Sequence, residues 1–289
     1  MIYFKTTVRS FSQLGLRALT SGFWLINKEG AANWLGRRFF VPTPWRLSPE
    51  AAWTLDQGKP FALALENEKR VQGWVWGEAG PMVLLLHGWG GRAGQMDPLI
   101  RRLLQQGFRV AAFDLPGHGE STQGITNAFE FIKALELVLE VIPSPQAVIA
   151  HSLGAVLAVQ TGLWLQVPLV LYSPIAHIQD NLLGWARATG MNINLFHHYF
   201  KRLETHYQQP LSRINPLERA CELSSPVLLL HDQQDQAIAL ESSLDLAKRL
   251  PQVRLVTSQG LGHNRILADE GLFVEVMDFF RAQNLLPAT

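Results

Sequence analysis

A serine hydroxyl is a poor nucleophile until a base removes its proton and a carboxylate holds that base in one tautomer. This chain offers all three residue types in the order serine, aspartate, histidine, each just past a short apolar run. Ser152 stands in Gln146-Ala-Val-Ile-Ala-His-Ser-Leu-Gly-Ala-Val-Leu157, where the β-branched pair Val148 and Ile149 gives way at once to a helix-compatible stretch. A strand turning this sharply into a helix thrusts the apex side chain outward. Its flanks must be small because the two backbones nearly touch, and Ala150 and Gly154 are small. Such an apex takes a positive φ, which favours glycine, so a serine at 152 points to chemistry. Asp232 and Asp235 both follow the run Pro226-Val-Leu-Leu-Leu-His231, and either could supply the carboxylate. His263 follows Val253-Arg-Leu-Val-Thr257 behind Gln259-Gly-Leu-Gly.

Those loops need a scaffold that brings them together. Phe61–Leu65 and Val71–Trp76 alternate apolar and polar residues about a polar turn, which predicts a β-hairpin. From Met82 onward, continuous apolar runs (82–87, 109–114, 146–151, 168–172, 226–231, 253–257) alternate with helical spacing. That alternation implies an α/β fold with a mostly parallel central sheet flanked by helices. In such a sheet, ligands gather at the carboxyl ends of the strands, where Ser152, Asp232, Asp235 and His263 all fall. The alternation lapses at 174–215, a helical and aromatic stretch with Trp185, Phe196, Tyr199, Phe200 and Tyr207, read as a cap. The expected division is an N-terminal extension of helical leader and strap at 1–58, a core at 59–173 and 216–289, and the cap between.

Composition narrows the function classes. Of 289 residues, 47% are hydrophobic and 17% charged, enough for a large core. Lys and Arg number 25 against 24 Asp and Glu, which gives no electrostatic case for a nucleic-acid partner. The single cysteine, Cys221, excludes an internal disulfide framework and a Cys-rich zinc site, and is expected to be a small buried hydrophobe. No run is apolar and long enough for an ordinary transmembrane helix. Residues 1–28 carry Lys5, Arg9, Arg17 and Lys28, no acidic residue, and Leu14, Leu16, Leu19, Phe23, Trp24 and Leu25 among them. Two readings stay open: a helix lying on a membrane, or a leader packed on the protein's own surface, the second preferred. The expected location is cytoplasmic, peripheral to a membrane if the first reading holds.

Ala150-His151-Ser152-Leu153-Gly154 resembles the Gly-x-Ser-x-Gly nucleophile elbow of the α/β-hydrolase family, with Ala150 in place of the first glycine. His87-Gly88-Trp89-Gly90-Gly91 resembles that family's His-Gly-x-Gly loop, and Asp114-Leu-Pro-Gly-His-Gly-Glu-Ser121 its Asp-x-Pro-Gly-His-Gly-x-Ser stretch. The resemblance spans residues 60 to 285 and implies the α/β-hydrolase fold with Ser152 as nucleophile and His263 as base. It favours Asp235 as the acid, leaves Asp232 as a turn former, and ranks Asp180 a distant third. Backbone N–H groups of Leu153 and Trp89 would form the oxyanion hole, with Trp89, His151 and Trp185 lining the substrate pocket. His118 would brace the oxyanion loop. No cofactor or metal is implied. A serine at the apex disfavours dehalogenase and epoxide-hydrolase chemistry, which place aspartate there. The expected function is hydrolysis of a small-molecule carboxylic ester with a hydrophobic acyl or alcohol group. Carbon–carbon hydrolase, thioesterase and perhydrolase chemistry use the same triad, and a non-catalytic ligand-binding protein is the alternative from another class.

Overall fold

In a computed structural model of the protein, residues 13–43, 45–65 and 68–287 are described, without the side chains of 13, 14, 185 and 189. The strands are β1 (Lys59–Ala64), β2 (Arg70–Trp76), β3 (Met82–Leu86), β4 (Arg109–Phe113), β5 (Ala147–His151), β6 (Leu169–Tyr172), β7 (Val227–Asp232) and β8 (Val253–Ser258). They form one eight-stranded sheet in the order β1-β2-β4-β3-β5-β6-β7-β8. The β1–β2 hairpin is antiparallel and joins β4 antiparallel, while β4, β3, β5, β6, β7 and β8 run parallel. Alternating and continuous apolar patterns thus separate the sheet's open edge from its covered centre.

The helices that cover it are α3 (Pro49–Asp56), α4 (Asp97–Gln105), α5 (Ala128–Val141), α6 (Gly154–Leu165), α9 (Glu241–Arg249) and α10 (Glu270–Ala282). Val83 and Leu85 of β3 face Met96, Leu99, Leu103 and Phe280, while Leu84 and Leu86 face Phe131, Leu135, Ala155 and Ala158. Successive side chains of one strand therefore feed two separate cores.

A third apolar cluster lies off the sheet. It joins α1 (Gln13–Ile26) and α2 (Lys28–Phe39) to α7 (Ile178–Thr189) and α8 (Ile193–Tyr207), the helices inserted between β6 and β7. Ala31 and Leu35 of α2 meet Leu195, Phe196 and Tyr199 of α8, and Phe40 stacks on Tyr199 at 4.5 Å. On the outer side, Glu29 accepts from His198 (2.9 Å) and pairs with Arg202 (3.1 Å). The N-terminal helices and the inserted helices therefore make one layer.

Two expectations need correction. The stretch before β1 is not strap throughout: Ser48 accepts from the Ala51 N–H and Pro49 opens α3, a capped start that buries Leu55 against α4's side of the sheet. Cys221 is exposed, because its short turn turns Ala220 inward instead. Residues 1–12, Pro44, Glu66 and Asn67, which fall in the expected leader, strap and hairpin turn, lie outside the described residues.

Two backbones approach closely where α6 leaves the sheet. A Cβ on Gly154 would lie 2.5 Å from the Leu86 carbonyl oxygen and 2.9 Å from that of His87. Gly154→Ala is therefore expected to lose about 1–3 kcal/mol of unfolding free energy in urea titration, from backbone displacement alone. An unchanged midpoint would contradict this packing.

Candidate active site

Ser152 sits between β5 and α6 with φ +55°. Its N–H donates to the Tyr172 carbonyl (2.9 Å) and its own carbonyl accepts from Ile175 (3.2 Å), so neighbouring backbone holds a conformation that L-residues avoid. Ala150 is fully buried in register with Leu86 and Leu171, and its methyl group fits. Gly88 presses on the apex from the other side: a Cβ there would lie 2.8 Å from that of Ser152.

The loop carrying Gly88 and Trp89 is braced by two buried histidines. His87 donates from Nδ1 to the Gly88 carbonyl (2.8 Å) and accepts the Leu115 N–H at Nε2 (3.0 Å). His118 donates from Nδ1 to the Pro116 carbonyl (2.9 Å) and accepts the Gly90 N–H at Nε2 (3.0 Å). Behind them, the fully buried Asp114 accepts from the Ala93 N–H (2.6 Å) and the Glu120 N–H (2.7 Å). Each ring therefore has its tautomer set by a carbonyl, and His118 contacts the loop rather than the cavity. Trp89 stands edge-on to Phe40, at 6.4 Å between ring centres, and lines the cavity described below.

The two aspartates after β7 have different tasks. Asp235 Oδ2 accepts from His263 Nδ1 at 2.7 Å, and Oδ1 accepts from the Ala237 (2.8 Å) and Ile238 (3.0 Å) N–H groups. Burial alone would raise its pKa, but the His263 hydrogen bond and these backbone donors outweigh that and hold the carboxyl well below the usual range. Asp232 instead ties its loop to the next one, accepting from the Ser258 hydroxyl (2.8 Å) and the Leu261 N–H (3.0 Å). His231, bonded to Ser243 (2.7 Å) and the Ile238 carbonyl (3.0 Å), fixes the far side of the Asp235 turn. Asp180 lies away from this group, at the start of α7, 3.6 Å from His177.

His151 adds a contact that residue type alone does not reveal. Its Nε2–H donates to the backbone carbonyl of His263 (2.8 Å), and the two rings lie 4.6 Å apart. The elbow and the histidine loop are thereby tied directly. Ser152, His151 and His263 open into one cavity of about 480 Å³, walled by Phe40, Phe129, Ile178, Phe200 and Leu211. Among the described residues, no hydrogen bond joins the Ser152 hydroxyl to the His263 ring, a contact that commonly tightens only around substrate. Asp180, Glu241 and Asp245 stand at the cavity's outer lip, and no Lys or Arg is among the described lining residues. The Trp185 side chain lies outside the described residues. Among the described residues no three His, Cys, Asp or Glu side chains converge as metal ligands would.

Comparison with known proteins gives this geometry a context. The sequence profile described as the alpha/beta hydrolase family matches residues 83–276. A pimeloyl-[acyl-carrier protein] methyl ester esterase of Pseudoalteromonas atlantica is 36% identical over 80 residues, 28% of this chain and 31% of the relative. The chain thus spans under a third of that relative's length. The protein of the same description from Nitrosomonas europaea is 24% identical over 247 residues, 69% of this chain and 95% of the relative. Among solved structures, an esterase of Pyrococcus furiosus has a TM-score of 0.64 at 22% identity, covering 84% of this chain and 97% of that one. The thioesterase domain of the curacin biosynthetic pathway has a TM-score of 0.57 at 18% identity, covering 76% and 98%. Likeness at that identity establishes the fold and leaves the reaction to the residues of the site.

The bracing histidines carry a cost in acid. Burial lowers the pKa of His87 to about 4, and of His118 and His151 to about 3, and moves that of His231 the same way. Below the unfolded value of 6.5 the unfolded chain binds protons that the folded chain refuses. Stability is therefore fully present above that value and falls as pH drops toward 4, by about 1.4 kcal/mol per pH unit for each of His87, His118 and His151. Burial raises the pKa of Asp114, which opposes the trend, but one carboxyl faces four imidazoles. Urea titrations are expected to give a clearly lower unfolding free energy at pH 5 than at pH 7, with a shallower slope in His151→Phe. Equal stability at the two pH values would contradict neutral buried rings.

Proposed function

This chain belongs to the alpha/beta hydrolase family, and from that premise we propose that it is a serine hydrolase cleaving a small carboxylic ester through an acyl-enzyme on Ser152. The observation that carries the reading is the 2.7 Å contact between His263 and Asp235 beside the cavity into which Ser152 projects. In the proposed cycle the Ser152 oxygen attacks the ester carbonyl carbon while His263 Nε2 takes the hydroxyl proton. The imidazolium that forms is stabilised by Asp235, whose second oxygen is already held by two backbone N–H groups. Collapse of the tetrahedral intermediate expels the alcohol, which receives that proton. Water, deprotonated by the same ring, then attacks the acyl-enzyme, and Ser152 leaves with the proton returned. The oxyanion is assigned to the N–H groups of Leu153 and Trp89, since Leu153 opens the N-terminus of α6, whose dipole favours developing negative charge.

The walls support a hydrophobic acyl or alcohol group. Phe40, Phe129 and Phe200 offer it apolar surface, while Asp180, Glu241 and Asp245 disfavour an anionic one at the lip. The Nitrosomonas europaea relative, matched over 95% of its length, is itself described as a methyl ester esterase. A thioester or carbon–carbon substrate would use the same groups, and no residue described above favours either.

The test is kcat/KM on p-nitrophenyl esters from acetate to laurate. About 0.8 kcal/mol per buried methylene predicts a rise of roughly fourfold per carbon until the cavity is filled. Esters ending in a carboxylate are expected to fall below neutral ones of equal length, and Ser152→Ala to lose roughly 10⁴-fold or more. A preference for charged or sugar esters, or activity that survives Ser152→Ala, would overturn the reading.

A further inference from the structure

Helix α1 is apolar on both sides, which a surface helix of a water-soluble fold has no reason to be. Its inward side buries Leu16 and Thr20 against α2 and α8, and Phe23 meets Trp34 at 6.5 Å. Its position is fixed by the inserted helices: the Asn192 N–H donates to the Thr20 hydroxyl (3.1 Å), and the Asn192 side chain to that of Ser21 (3.3 Å). The outward side presents Ala18, Leu19, Gly22, Leu25 and Ile26, spaced i, i+1, i+4, i+7, i+8 along a single stripe. Leu25 is 81% and Ile26 87% exposed, Leu19 is 41% exposed, and a Cβ on Gly22 would meet nothing within 4 Å. No polar side chain interrupts that stripe.

Charge decides what covers it. Arg17 of α1 and Lys28 just beyond it are exposed, the Lys28 ammonium 5.1 Å from the Trp24 ring. Lys5 and Arg9 precede them in the sequence, and no acidic residue occurs before Glu29, which is engaged by His198 and Arg202. A second copy of this chain would set like charges against each other. The surface that offers apolar depth beneath negative charge is a bilayer bearing anionic headgroups. We infer that α1 docks the protein onto an anionic lipid surface, with Leu19, Leu25 and Ile26 entering the acyl boundary and Arg17 and Lys28 at the headgroups. The apolar cluster on the inward side of α1 contains Phe40, Ile178 and Phe200 of the cavity wall, so α1 packs on the layer that walls the cavity.

Co-sedimentation of the full chain with phosphatidylcholine vesicles, with and without phosphatidylglycerol, tests this. The wild type is expected to pellet with the anionic vesicles and to be released by high salt. Leu19→Glu/Leu25→Glu/Ile26→Glu is expected to lower the partition coefficient by about tenfold or more, and Arg17→Glu/Lys28→Glu to abolish the preference for anionic lipid. Both variants should keep wild-type hydrolysis of a dissolved short-chain p-nitrophenyl ester, which controls for folding. Ser152→Ala should bind vesicles like the wild type, so the docking face is tested apart from the chemistry. A wild type that stays in the supernatant, or a triple variant that pellets equally, overturns the proposal. So does a wild type that is dimeric without lipid while the triple variant is monomeric, since the stripe would then be a protein interface.

Discussion

A serine held at φ +55° between a buried strand and a buried helix is the constraint on which the rest of this structure depends. Such a conformation costs on the order of 1–3 kcal/mol and persists only where its surroundings over-determine it. Here the Tyr172 carbonyl takes the Ser152 N–H, Gly154 lets the Leu86 and His87 carbonyls approach, and Gly88 crowds the apex from the facing loop. Those neighbours come from the carboxyl ends of β3 and β6, the strands on either side of β5. The elbow can form only once β3, β5 and β6 are in register, so the candidate nucleophile reports on the whole centre of the sheet.

The loops around the elbow are organised by buried polar groups, each with a partner fixed in advance. His87 and His118 shape the glycine-rich loop, Asp114 anchors what lies behind it, and Asp232 joins the β7 and β8 connections. His151 then ties the elbow to the backbone of His263. A ring held by its neighbours' carbonyls needs little reorganisation when charge develops beside it, which is how preorganised sites lower barriers. The same burial makes these histidines reluctant to take protons, so the site's rigidity and its sensitivity to acid have one origin.

The sheet, the elbow and the loops bearing Asp235 and His263 were legible in the sequence because their signals are local. Apolar runs mark the strands, small flanks mark the sharp turn, and glycines mark the loops at the carboxyl ends. What residue types could not convey were contacts made across the chain. Asp232 and Asp235 are three residues apart in one loop, and only the path of the β8 connection brings His263 to the second of them. Phe40 gives no hint of lining the cavity until α2 is seen lying against α8. The start of α3 carries a readable cap in Ser48-Pro49. The outward stripe of α1 was visible as apolar content, but which side of the helix would be covered depended on Asn192 and the inserted helices.

The central claim is that Ser152, activated by His263 and Asp235, is the atom that attacks. The most direct measurement is covalent trapping with a fluorophosphonate, followed by mass mapping of the modified peptide. The account predicts one adduct per chain, on Ser152, formed far more slowly in His263→Ala and Asp235→Asn and absent in Ser152→Ala. An adduct on another residue, or an unchanged labelling rate when His263 is removed, would contradict it.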